Sequence, residues 1–337
     1  MGSDMSLGIK NKPFLPKVWN LTKIILAVAL FGYVLSQIDL AQLPGLSKRI
    51  ALPWLLLDLV LFIIMTLIKA RQYYVLIDRE APYNSVFKNV ILQNIVSNFV
   101  ATSAGIASYF TLMKIDEGVK LRKSVASFLI TKIGDLVVTF LLLGVSAAFV
   151  WDQISGLRGV TVVFLLLVLL LIGFFLMTVL FRQRFVKLVA TVVEYSRLSR
   201  ISFIPKGIDV LRSLADQETL YILRIFGVSI VYSFLYMGVT LIWVYCNLRV
   251  FSLVQPLLVV AFCNSVLQLI SWLPVQAFGG LGMTETVLVY MFSQFGVPQA
   301  EMALVSIGGR LLSYFLNLVI FLYIPLNTLL VRKRTPK

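Results

Sequence analysis

The chain has 337 residues, 59% of them hydrophobic and only 13% charged, with Lys+Arg 30 against Asp+Glu 15, a formal net charge of +15 and no histidine. An average soluble domain is about a quarter charged, and disorder requires low hydrophobicity, so both classes are excluded. A mean hydropathy of +0.94 and unbroken apolar stretches such as 160–180 point instead to an integral membrane protein.

A membrane-crossing helix needs about 20 apolar residues, because the hydrocarbon core is about 30 Å thick and each residue rises about 1.5 Å. After a tail at 1–17, the first such segment is 18–36, too long for a signal peptide and without a small-residue cleavage site. The second is 52–68. An apolar but interrupted region, 83–113, follows and is expected to break around Ala101 to Ser108, where small and polar residues cluster. The next spans are 124–150 and 159–181. The connection 182–219 carries Phe185, Leu188, Val189, Val192 and Val193 at helical spacing, with Arg184, Lys187 and Glu194 elsewhere on the wheel. It reads as an interfacial amphipathic helix or, more plainly, as a helical loop. The span 220–246 leads to a second interrupted region, 253–295, broken around Pro274 to Gly282. The last span is 299–331, before a basic tail at 332–337.

The basic residues set the orientation. The regions before 18, at 69–88, 114–123 and 182–212, and after 331 hold 22 of the 30 cations. The positive-inside rule places these regions and both termini in the cytoplasm of a plasma (inner) membrane, and removes any need for a nucleic-acid partner. Each interrupted region then begins and ends on one face. Re-entrant helical hairpins satisfy this, and pairs of short spans satisfy it too. With hairpins, the fold class is an all-α polytopic membrane protein of six full spans and two re-entrant hairpins. The repeats 18–150 and 159–331 form an inverted-topology pair, an arrangement that builds transporters with mid-membrane sites.

Charges within spans are costly and mark functional candidates. Lys132 lies about 12 Å and Arg310 about 16 Å into their spans. Asp135, three residues after Lys132, shares its helical face and can neutralise it. Glu285 sits where a half-helix would start, which favours negative charge. Gly279, Gly280 and Gly282 free backbone N–H groups at the same start, a known anion-binding arrangement. Lys132, Arg310 and these glycines are therefore expected to hold a phosphate headgroup. Asp135 and Glu285 would tune charge or couple protons, and Asn98, Thr102, Ser103, Asn264 and Gln268 would line the hairpins. The same residues read structurally as neutralised pairs and satisfied breaks. Asp58 is expected near the outer face, solvated there. Trp54, Trp151, Trp243 and Trp272 read as interface or packing residues.

No enzyme constellation is visible. Histidine is missing, the phosphate-binding GxxxxGK[ST] loop is missing, and no cofactor or metal site is expected. Cys246 and Cys263 have neither disulfide-framework nor zinc spacing, and read as small core residues.

The chain resembles the flippase-like transmembrane domain of lysylphosphatidylglycerol synthases over roughly 18–331. The resemblance is carried by Leu273-Pro274, the Gly279-Gly280-Leu281-Gly282 turn, Glu285 and Gly309-Arg310-Leu311. Asn98 to Gly105 and Lys132 to Asp135 carry it more loosely. The family's first hairpin often has Pro, Gly-Glu and Arg, which Thr102 to Tyr109 lack. The synthases' aminoacyl-transfer domain has no counterpart in this chain, so lysyl-lipid synthesis is not expected of it. The resemblance implies translocation of an anionic phospholipid or lipid-linked intermediate, with membrane lipids as partners. A homo-oligomer and a separate lipid-modifying enzyme are further partners compatible with it. An ion-coupled carrier of a small anionic solute and a non-transporting accessory of lipid or glycan synthesis stay open as alternatives.

Overall fold

In a computed structural model of the chain, the structure describes residues 50–115, 117–196, 219–271 and 278–327, with positions 32, 33, 36, 208, 211, 212 and 215. Most of the first expected span, Trp272 to Ala277 of the second break, most of the connection past Ser196 and the basic tail lie outside the described residues. All described elements are helical. They are α1 (Leu52–Leu76), α2 (Tyr83–Phe99), α3 (Thr102–Ile115), α4 (Leu121–Val150), α5 (Arg158–Tyr195), α6 (Thr219–Val250), α7 (Leu257–Ser271), α8 (Met283–Ser293) and α9 (Gln299–Phe321). Of these, α1, α4, α5, α6 and α9 are long and apolar enough to cross a membrane. The others have 17, 14, 15 and 11 residues. At about 1.5 Å per residue none reaches the roughly 30 Å of a hydrocarbon core.

Paired contacts fix how the long helices run. The Ala51 N–H donates to the Val250 carbonyl at 3.0 Å, and Gln72 towards the other end of α1 donates to Ser229 in the first half of α6. Thus α1 and α6 are antiparallel. The Ser127 hydroxyl donates to the Leu76 carbonyl at 2.8 Å, and Lys69 meets Asp135, so α1 and α4 are antiparallel as well. The end of α1 therefore lies beside the start of α4. Phe87 meets Tyr323 and Phe99 meets Tyr314, with ring centroids 4.9 and 4.7 Å apart, which lays α9 antiparallel along α2.

Three apolar clusters bind these elements. One joins α1, α2 and α3 to the end of α9. Another joins the ends of α4 and α6 to α7, α8 and the start of α9, and a smaller one ties α5 to α1, α4 and α6. The outer surface is equally apolar: Leu170 and Phe149 are each 69% exposed, as suits side chains whose solvent is lipid.

Four local features differ from expectation. α1 continues eight residues past Ile68, because Lys69 and Gln72 find partners on α4 and α6 instead of water. The first break is confined to Val100 and Ala101, whose N–H groups both bond the Val96 carbonyl. The small residues after it are helical and serve close packing: a Cβ on Gly105 would sit 2.6 Å from the Gln93 carbonyl oxygen. α5 leaves helical geometry at Arg182 (φ 49°, ψ −131°). The expected amphipathic segment resumes beyond it as a second helical arm, with Leu188 and Val192 exposed. Finally, Asp58 is fully buried, not solvated, because its face of α1 packs along α6.

A candidate anion-binding cavity between the broken helices

The second break is built by glycine. Gly279, Gly280 and Gly282 have φ of 63°, 81° and 79°, a left-handed region that costs other residues about 1–2 kcal/mol each. Gly279 also touches the end of α2: a Cβ there would stand 2.7 Å from the Asn98 carbonyl carbon and closer still to its oxygen. The two broken regions, distant in sequence, meet at this backbone contact.

Glu285 and Arg310 lock the turn. The Gly282 N–H donates to Glu285 Oε2 at 2.7 Å, which caps the start of α8 with a negative charge where the helix dipole favours one. Arg310 Nε donates to the other carboxylate oxygen, Oε1, at 2.6 Å, and Nη1 donates to the Gly279 carbonyl at 2.9 Å. Both side chains are nearly buried, 11% and 2% exposed. Breaking such a pair on one side strands a charge in a medium of low dielectric. The guanidinium still has a nitrogen to spare, because its Nη2 is buried with no hydrogen-bond partner among the described residues.

This corner opens on a cavity of about 340 Å³. Asn98 and Thr102 reach it from the first break, Gln268 from α7, and Glu285, Gly279 and Arg310 from the second break and α9. Trp243 and Asn247 of α6 line it too, and sequence reasoning missed both. Asn247 is detectable only by its place near the end of an apolar span, and Trp243 reads as an ordinary interface residue.

The remaining expected residues lie elsewhere. Gly280 and Gly282 shape the turn, and the Gly282 N–H expected to meet an anion is taken by Glu285. Asn264 is buried in α7, while Ser103 is exposed. Lys132 and Asp135 do not line the cavity. They belong to a second polar centre among α1, α4 and α6. Its hub is Asp135, whose carboxylate accepts from Lys69 Nζ at 2.9 and 2.8 Å and from the Ser233 hydroxyl at 2.8 Å. Lys69 also donates to Gln72 at 3.0 Å, and its Nζ lies 4.2 Å from the centre of the Tyr236 ring. Lys132 is half-buried, with Nζ 5.6 Å from the Phe128 ring centre. Lys132 and Arg310, expected to converge on one headgroup, thus occupy two centres. Lys69 was missed because it follows directly on the apolar run and reads as the first residue of a connection. Gly134 lets α4 approach α6 here, since a Cβ on it would sit 2.9 Å from the hydroxyls of Ser229 and Ser233.

No curated protein and no solved structure matches the chain. The family model described as the lysylphosphatidylglycerol synthase TM region matches residues 20–320. With five membrane-length helices among the described residues and a match over most of its length, the chain belongs to the lysylphosphatidylglycerol synthase transmembrane family.

Proposed function

We propose that the chain moves an anionic phospholipid or lipid-linked intermediate between leaflets, with the phosphate held at Arg310 in the cavity between the two breaks. The observation that carries this reading is Arg310 Nη2, a buried cationic donor without a partner among the described residues, at the wall of a cavity of about 340 Å³. Pockets that hold small ligands are commonly about 300–1,000 Å³. The space suits a headgroup, and acyl chains would stay in the bilayer. A phosphate oxygen would complete the guanidinium's bonding, as charge-assisted pairs with arginine do. Glu285 offsets the arginine's charge when the cavity is empty, and neutral Asn98, Thr102 and Gln268 would hydrogen-bond the rest of the headgroup.

In this reading the segments 83–115 and 257–293 are re-entrant hairpins of an inverted repeat. Their short helices support it, as does the closeness of the end of α1 to the start of α4, which a segment returning to the face it entered would require. Cation-rich connections orient that face and both termini to the cytoplasm of the inner membrane. The repeats would rock against each other around the Gly279–Asn98 contact, and the chain itself would carry out no covalent chemistry.

The test is a flipping assay in proteoliposomes with a labelled anionic phospholipid, comparing wild type, Arg310→Gln and Arg310→Lys. Wild type should flip faster than protein-free vesicles. The glutamine variant should lose this gain, and lysine, a point charge without the fork, should restore only part of it. Equal rates with and without protein would refute the reading. Uptake of a water-soluble phosphate ester in place of lipid flipping would favour a solute carrier.

A further inference from the structure

Three acids are buried among the described residues of the long and broken helices, and two have a cation. Asp135 has Lys69 at 2.8 Å and Glu285 has Arg310 at 2.6 Å. Asp58 has none: it is fully buried, and both its carboxylate oxygens lack a hydrogen-bond partner of standard geometry. The indole Nε1 of Trp243 and the amide Nδ2 of Asn247 face it, and each is itself a buried donor left unsatisfied. These two residues line the cavity. Asn247 also reaches the Arg310 corner, since a Cβ on Gly309 would sit 2.7 Å from its Oδ1.

We propose that Asp58 binds a proton behind the Trp243–Asn247 wall, and that an anion entering the cavity at Arg310 drives this protonation. The inference rests on the cavity's reading as an anion site. An ionised carboxylate buried without a cation is strongly disfavoured, whereas two N–H donors facing it favour the ionised form. Asp58 thus has no fixed counter-charge of its own, and its charge state depends on what lies across the Trp243–Asn247 wall. A second negative charge in the same low-dielectric region repels the carboxylate and tips the balance to the neutral acid. By linkage, protonation strengthens anion binding to the same extent. Other groups act weakly or at a distance. On α6 these are Cys246, within electrostatic reach, Tyr245, whose ring centre lies 6.2 Å from that of Trp54, and Arg249, which stacks on Trp54 at 5.1 Å. On α9, Arg310 and Tyr314 are partnered or aromatic, and Glu301 sits in its first turn, nine residues before Arg310. On α2 only Tyr83 and Lys88 titrate, and both sit near its far end. Lys69 and the Asp135 and Lys132 of α4 belong to the other centre, about 16 Å further along α1.

The experiment is infrared difference spectroscopy of the full chain in a carbonyl-free detergent, with diether phosphatidylglycerol as probe and diether phosphatidylcholine as control. A protonated-carboxyl band should be present, shift with carboxyl-¹³C aspartate, disappear in Asp58→Asn and persist in Asp135→Asn. Phosphatidylglycerol should increase it. Wild-type affinity for that lipid should fall by up to about tenfold per pH unit above the titration of Asp58, and Asp58→Asn should hold the low-pH affinity throughout. The isotope arm works in the unmutated protein and keeps the proposal testable if the variant does not fold. A spectrum without an aspartic-acid band, or a band indifferent to phosphatidylglycerol, overturns the proposal. A band that responds while vesicles show no flipping would sustain the proton site and defeat the translocation reading.

Discussion

Replacing Gly279 by alanine isolates the contact that joins the two broken regions. Two costs add. Gly279 has φ 63°, and alanine in the left-handed region costs about 1–2 kcal/mol. The new Cβ would also stand 2.7 Å from the Asn98 carbonyl carbon and 3.0 Å from its Cα. Backbone cannot rotate away as a flexible side chain can, and overpacking of this kind costs about 1–3 kcal/mol. The total is about 2–5 kcal/mol. Gly296 supplies the control: its φ is 80°, yet nothing lies within 4 Å of its would-be Cβ, so Gly296→Ala should bear only the first cost. The difference of about 1–3 kcal/mol is roughly a 5- to 150-fold change in the folding equilibrium. Reversible unfolding of the full chain in mixed detergent–SDS micelles, followed by tryptophan fluorescence, would measure both variants. Equal stability of the two would refute the close approach of α2 to the glycine turn.

Two further outcomes follow from the ion pairs. Lys69→Ala or Asp135→Ala alone should destabilise by about 3–5 kcal/mol by stranding a buried charge, whereas the apolar double variant, Lys69→Met with Asp135→Leu, should recover much of that loss, which a double-mutant cycle in the same micelles would show. Asp78, in the turn after α1, is opposed by burial but held below the usual aspartate range by Lys123 at 2.6 Å and the Tyr221 hydroxyl at 2.8 Å. A depressed carboxylate stabilises above its unfolded pKa and loses that contribution as pH falls through the folded one. Unfolding midpoints of wild type and Asp78→Asn should therefore differ near neutral pH and converge in acid.

Helix-forming apolar runs were legible because length and hydropathy alone specify them, and α1, α4, α5, α6 and α9 lie where the runs are. Their ends were less legible. Lys69 and Gln72 look like the start of a connection until their partners on α4 and α6 are known. The stripe Asp58, Phe62, Met65, Lys69, Gln72 and Leu76 does carry a signal: these residues recur at intervals of three and four, one helical face, and so share an environment. Reading polar residues on that stripe as interior would have moved Asp58 from the surface to the core. At the second break, Glu285 and Arg310 stood out by charge and glycine chemistry. Gly105 could not be read so, since the sequence does not tell a helix-breaking glycine from one that lets two helices touch. The pairing of Asp135 with Lys69, and the seating of Asn98 on Gly279, are long-range contacts that only the folded chain reveals.

The central claim, an anionic headgroup seated on Arg310, is tested most directly by an experimental structure of the full chain in nanodiscs rich in phosphatidylglycerol. Phosphate density should lie within hydrogen-bond distance of Arg310 Nη2, inside the cavity lined by Asn98, Asn247 and Gln268. Lipid phosphate found only at the bilayer surfaces, with Arg310 still bonded to Glu285 and nothing on Nη2, would contradict it.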